Sequence, residues 1–176
     1  KRAGVRALRF TRGGASRIED FPRLAPLMRE AGLHAELFIG VERLSGMAET
    51  LLATGVPIVL DHMAGPFDAS AGADSAGFRH VADLLRSGQL WVKLTPQRSS
   101  GQFPAYEDVR GHFDLLIAAG PDRLVWGTDW PFPHMGDETP DPGQLLDLLF
   151  DWAGDEVLVR RILVDNPCRL YGFAHP

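Results

Sequence analysis

Short apolar runs alternate with longer segments of helical period five times along the 176-residue chain, at spacings of about 23 to 35 residues. The runs cover 4–10, 33–39, 57–60, 90–95 and 124–126. Between them, apolar residues recur at helical spacing: Leu24, Leu27 and Met28; then Leu44, Met47, Ala48, Leu51 and Leu52; then Val109, Phe113, Leu116 and Ile117. Gly32 and Gly55 follow two of these segments as C-caps. Pro22 suits a first helical turn, whereas Pro26 predicts a late start or a kink. Asp141 and Pro142 open a helix whose buried side is expected to carry Leu145, Leu146, Leu148, Leu149 and Trp152, and Asn166-Pro167 is expected to stop the last one. This strand–helix alternation specifies an α/β fold with a parallel sheet and outer helices. The pattern alone leaves open whether the sheet is doubly wound or closed into a barrel.

Two of the runs end in titratable side chains. Leu124-Val125-Trp126 is followed by Gly127, Thr128 and Asp129, then halted by Pro131 and Pro133. Burying a carboxylate there costs several kcal/mol unless it is paired, hydrogen-bonded or metal-bound. In a parallel barrel, residues at the C-terminal strand ends face the active site. Asp129 is therefore a candidate site residue, with a helix-cap or turn aspartate as the equally open alternative. The run at 57–60 ends likewise in Asp61 and His62, before Gly65 and Pro66. Strand alternation puts Ile58, Leu60 and His62 on one face. A lone histidine in such a place is more often structural, but a His and an Asp on two strand ends are harder to dismiss. Lys93 falls inside another run, where structural pairing is the expected role.

Three stretches carry a family resemblance. Gly-Thr-Asp-Trp-Pro at 127–131, Asp-His-Met-Ala-Gly at 61–65 and Ile-Leu-Val-Asp-Asn-Pro-Cys-Arg-Leu-Tyr-Gly-Phe at 162–173 resemble the amidohydrolase-related TIM-barrel hydrolases. The branch is the one similar to 2-pyrone-4,6-dicarboxylate lactonase. The resemblance implies a (β/α)8 barrel, of which this chain would be a C-terminal fragment with about five of the eight strands. Residues 1–176 would then form a single, partial domain, inactive alone. The family counts the His62 strand as fifth and the Asp129 strand as eighth, so two strands are expected between them where the sequence offers one.

The same resemblance implies a hydrolase acting on a lactone or related carboxylate-bearing small molecule, in aromatic or sugar-acid catabolism. Asp129 would activate water and His62 would orient the carbonyl. Arg98, Arg9 and Arg12 would hold the anionic substrate, since a guanidinium pairs bidentately with a carboxylate; an exposed loop arginine is the alternative, most of all for Arg12. Phe38 departs from the family, which often has an aromatic hydroxyl there. The family's His-x-His pair is absent from this chain. The resemblance leaves a divalent metal such as zinc or none: the lactonase-like branch can work without one, related decarboxylases need zinc, and Asp129 and His62 would be ligands if a metal is bound. The alternatives are a metal-dependent decarboxylase on the same barrel and a non-catalytic binding remnant.

Composition excludes little. The net charge of −5 argues against nucleic acid as a partner. The distribution is uneven: residues 1–30 hold eight Lys/Arg and three Asp/Glu, and residues 124–159 hold eight Asp/Glu and no Lys/Arg. Solvated helix faces explain this, as would arginines serving an anionic ligand. The single cysteine, Cys168, cannot form an internal disulfide, which fits a cytoplasmic protein. No run approaches the roughly 20 apolar residues of a membrane span, and a homo-oligomer is left open.

Overall fold

The computed structural model describes residues 3–11 and 16–176. Five strands, β1 (Ala7–Thr11), β2 (His34–Phe38), β3 (Ile58–Leu60), β4 (Trp91–Leu94) and β5 (Leu124–Trp126), form one sheet. Every neighbouring pair is parallel, and the spatial order is the chain order. The principal helices between and after them are α1 (Phe21–Ala31), α2 (Val41–Ala53), α3 (Ala76–Arg86), α4 (Arg110–Ala119), α5 (Pro142–Ala153), α6 (Glu156–Arg160) and α7 (Asn166–Tyr171). Each of α1 to α4 packs against the next helix along the chain. A doubly wound sheet would reverse its strand order and send helices to both faces. An unreversed order with neighbouring helices in contact is the winding of a barrel wall.

Strand alternation assigns the two faces. Phe10, Ala35, Leu37, Ile58, Leu60, Val92, Leu94 and Leu124 turn outward into the main core, with Phe21, Met28, Leu44, Leu51, Phe78, Leu85, Phe113 and Leu116 from the helices. Each fully buried side chain of this kind contributes about 1.5–3 kcal/mol of transfer free energy. The concave face holds a separate small cluster, Val59, Trp91 and Val125, covered by Leu170 of α7. Above that layer the concave face becomes charged.

Several sequence expectations are corrected. Only one strand, β4, lies between the His62 strand and the Asp129 strand, so the count that places them fifth and eighth does not hold. Helix α1 neither starts late nor breaks at Pro26. Pro22 and Pro26 are both exposed, so the Pro22 carbonyl that loses its helical partner can bond to water. Leu27 is exposed, outside the buried face of Ala25 and Met28. Asn166-Pro167 does not stop the last helix: the chain passes through a π turn at Arg161–Asp165, and Pro167 takes an early position in α7. The buried Asn166 is used instead as a bracket, its Nδ2 donating to the carbonyls of Pro121 (2.8 Å) and Leu124 (2.7 Å). Among the described residues, no helix is long and apolar enough to cross a membrane.

Candidate active site

All five strands run the same way, so their C-terminal ends share one rim. A cavity of about 290 Å³ opens there, lined by Arg9 from β1, Glu36 from β2, Asp61 and His62 after β3, Lys93 and Thr95 from β4, and Trp126, Gly127 and Asp129 after β5. Asp129 and His62 thus meet in one cavity. Arg9 lines it as well. Arg98 reaches it indirectly, since its Nε donates to Asp129 Oδ2. Arg12 lies outside the described residues.

Strand alternation does not deliver His62. Ile58 and Leu60 face outward, and continued alternation would bury His62 among the helices. The chain instead turns sharply after Asp61: His62, Met63 and Ala64 have φ of 51°, 56° and 68°. Backbone in the left-handed region is costly for residues with a Cβ and clusters at functional sites. The turn swings the imidazole onto the rim. Asp129, with φ of 58°, makes a similar turn after β5, in a conformation that aspartate tolerates better than most residues.

The imidazole is packed on one side and charged on the other. The Phe38 ring meets it edge-on at 4.9 Å, and the Arg9 guanidinium lies 5.9 Å over the same Phe38 ring. The hydroxyl-free aromatic at position 38 thus serves as a platform for the two groups. Arg9 Nη2 lies 3.3 Å from His62 Nε2. Arginine can only donate, so Nε2 is the acceptor and the neutral ring carries its proton on Nδ1. Burial pushes the His62 pKa below its ordinary value; Asp61 and Asp129 pull it up, and Arg9 and Arg98 push it further down.

Beneath these groups lies a charge network that was only partly foreseeable. Asp61 is 2% exposed; its Oδ2 accepts from Arg9 Nε at 2.7 Å and its Oδ1 from Lys93 Nζ at 2.9 Å. Lys93 also reaches Glu36 Oε2 at 3.1 Å. Burial works against the Glu36 carboxylate, yet His34 and Lys93 hold its pKa down to about 2. The His34 contact is 3.6 Å, beyond hydrogen-bond reach, so the Lys93 ammonium carries most of that effect. Burial likewise disfavours the Lys93 cation, but Asp61 and Glu36 outweigh it and raise its pKa. Lys93 therefore has the structural pairing expected of it. Glu36 and Asp61 were not singled out, although each is a carboxylate in or beside an apolar run, the same signal that pointed to Asp129.

The donors present do not assemble a metal site. Among the described residues, no three His, Cys, Asp or Glu side chains converge as ligands. The two candidate ligands are each engaged by a guanidinium, Asp129 by Arg98 and His62 by Arg9.

Comparison with known proteins agrees with this geometry. A family profile described as amidohydrolase matches residues 2–173. The chain is 35% identical to a 4-sulfomuconolactone hydrolase of Hydrogenophaga intermedia, over 98% of this chain and 59% of that protein. It is 34% identical to a 2-pyrone-4,6-dicarboxylate hydrolase of Comamonas testosteroni, over 96% of this chain and 60% of that one. The fold superposes with a TM-score of 0.84 on a Pseudomonas putida protein assigned to 2-pyrone-4,6-dicarboxylic acid hydrolysis, at 27% identity, over 99% of this chain and 66% of that structure. The chain thus spans about 60% of the length of the curated relatives it matches. A singly wound parallel wall, a strand-end His and Asp in one cavity, and a match from residue 2 to residue 173 lead to one conclusion: the chain belongs to the amidohydrolase family.

Proposed function

We propose that the protein is, or is the larger part of, a hydrolase that opens a lactone bearing a carboxylate, with Asp129 as the base that activates water and His62 as the group that orients the carbonyl. The observation that carries this reading is the meeting of Asp129 and His62 in one cavity, each beside an arginine that can accept an anionic substrate. Arg98 holds Asp129 through Oδ2. The Asp129 carboxylate takes a proton from water as the water oxygen attacks the ester carbon; the ring acyl–oxygen bond then breaks, and the proton passes from Asp129 to the released alkoxide, giving the open hydroxy acid. His62 orients the substrate carbonyl from the rim of the same cavity. Arg98 Nη2 has no partner among the described residues, and Arg98 meets the cavity through Asp129. The relatives named for lactone hydrolysis support the substrate class, which for this protein is a proposal.

The test is turnover of a panel of carboxylate-bearing lactones by the full-length polypeptide. Asp129→Asn is expected to lower kcat on the order of a hundredfold or more. An unchanged rate with a folded variant removes Asp129 from the chemistry.

A further inference from the structure

Three successive residues of one loop reach both halves of the candidate site. After β4 the chain makes a short turn at Pro96–Arg98. Gln97 Nε2 donates to the Thr128 carbonyl at 2.6 Å, Arg98 pairs with Asp129, and Ser99 Oγ donates to the His62 carbonyl at 2.9 Å. Neither Gln97 nor Ser99 lines the cavity. We infer that Gln97 and Ser99 are positioning residues that hold Asp129 and His62 in place through the backbone; the inference rests on the roles just proposed for those two groups.

The physical need is local strain. Asp129 has φ of 58°, and His62, Met63 and Ala64 all lie in the left-handed region. Such residues are strained and persist only where their surroundings fix them. The Thr128 carbonyl immediately precedes Asp129, and the His62 carbonyl is on the turning residue itself. A hydrogen bond at either point sets the peptide plane and so the direction of the side chain. Gln97 is only 4% exposed, so its amide is held by packing and not by chance surface contact.

The space around Ser99 supports the same reading. Gly65 has φ of −66°, a value open to any residue, so its backbone does not call for glycine. Its surroundings do: a Cβ there would lie 2.8 Å from Ser99 Oγ and 2.9 Å from the His62 carbonyl oxygen. A side chain would wedge apart the very bond that ties the loop to the histidine turn.

The experiment uses the full-length polypeptide and a carboxylate-bearing lactone. Gln97→Met keeps volume and removes the donor; Ser99→Ala removes one oxygen. Each is expected to lower kcat roughly tenfold or more, since small displacements of reacting groups are costly, with KM nearly unchanged. In double variants, Gln97→Met should add nothing to Asp129→Asn yet act in full on His62→Asn. Ser99→Ala should show the reverse dependence. A residue that merely stabilises the fold lowers the melting temperature and contributes equally in both backgrounds, and that result would overturn the inference. So would an unchanged kcat in both single variants. Should Gln97→Met fail to fold, Ser99→Ala decides alone. If Asp129→Asn itself is fully active, the proposed chemistry has failed, an outcome visible before either positioning variant is made.

Discussion

Lys93→Met removes a cation that serves two carboxylates, the buried Asp61 and the half-buried Glu36. The side chain is 19% exposed and stands 2.9 Å from Asp61 Oδ1 and 3.1 Å from Glu36 Oε2. Among the described residues, removing it leaves Asp61 with Arg9 and Glu36 with no cation at ion-pair distance except a protonated His34. At about 1.4 kcal/mol per pH unit, the fall of the Glu36 pKa from 4.5 to about 2 amounts to roughly 3 kcal/mol of linked stability. Breaking a buried pair typically costs about 3–5 kcal/mol, the same range. The sign follows from the depressed pKa. In the native protein this stability is fully present above pH 4.5 and is lost as pH falls towards 2. In Lys93→Met, Glu36 titrates nearer its ordinary value, so the variant should be destabilised at pH 7 and approach the parent below pH 4. Urea unfolding followed by circular dichroism at pH 7, 5 and 3 measures this. Adding Glu36→Gln should recover part of the loss, because the stranded charge is gone. A loss below about 1 kcal/mol at pH 7, or one that does not shrink in acid, would refute the network as described.

Arg98→Ala should raise KM for a carboxylate-bearing lactone by about 1.5–3 kcal/mol in binding terms and leave the KM of a neutral ester nearly unchanged, while kcat falls for both because Asp129 loses its partner; equal effects on the two KM values mean that Arg98 does not read charge. His62, whose pKa is lowered chiefly by burial, should titrate below its usual 6.5 in an imidazole NMR titration assigned with His62→Asn. Because the unfolded chain takes up that proton first, stability should start to decline as pH drops through 6.5, and a midpoint above 6.5 contradicts the assignment. Asn166→Ala strands the Pro121 and Leu124 carbonyls and should cost about 3 kcal/mol in chemical denaturation; a cost within 0.5 kcal/mol of zero, the usual range for a neutral surface change, would show that the bracket is not needed.

The amino-acid sequence by itself determined the elements and the ends at which chemistry collects. Apolar runs of strand length with helical segments between them leave few arrangements other than a parallel sheet with outer helices, and Gly-Thr-Asp-Trp-Pro after β5 marks a polar strand end. Periodicity is a local signal, and these conclusions are local. It also misled locally: alternation sends His62 outward, and only the left-handed turn at 62–64 returns it to the rim. Tertiary structure alone decided the rest. Chain order shows that the sheet winds one way only once the strand pairing is known. Glu36, Asp61 and Lys93 come from three strands, and nothing in their sequence spacing says that one ammonium lies within 3.1 Å of both carboxylates. Gln97 and Ser99 look like ordinary loop residues until Thr128 and His62 are placed beside them. Hydrogen bonds and ion pairs between residues some 30 positions apart depend on the register of neighbouring strands, which the folded sheet sets and no local pattern encodes.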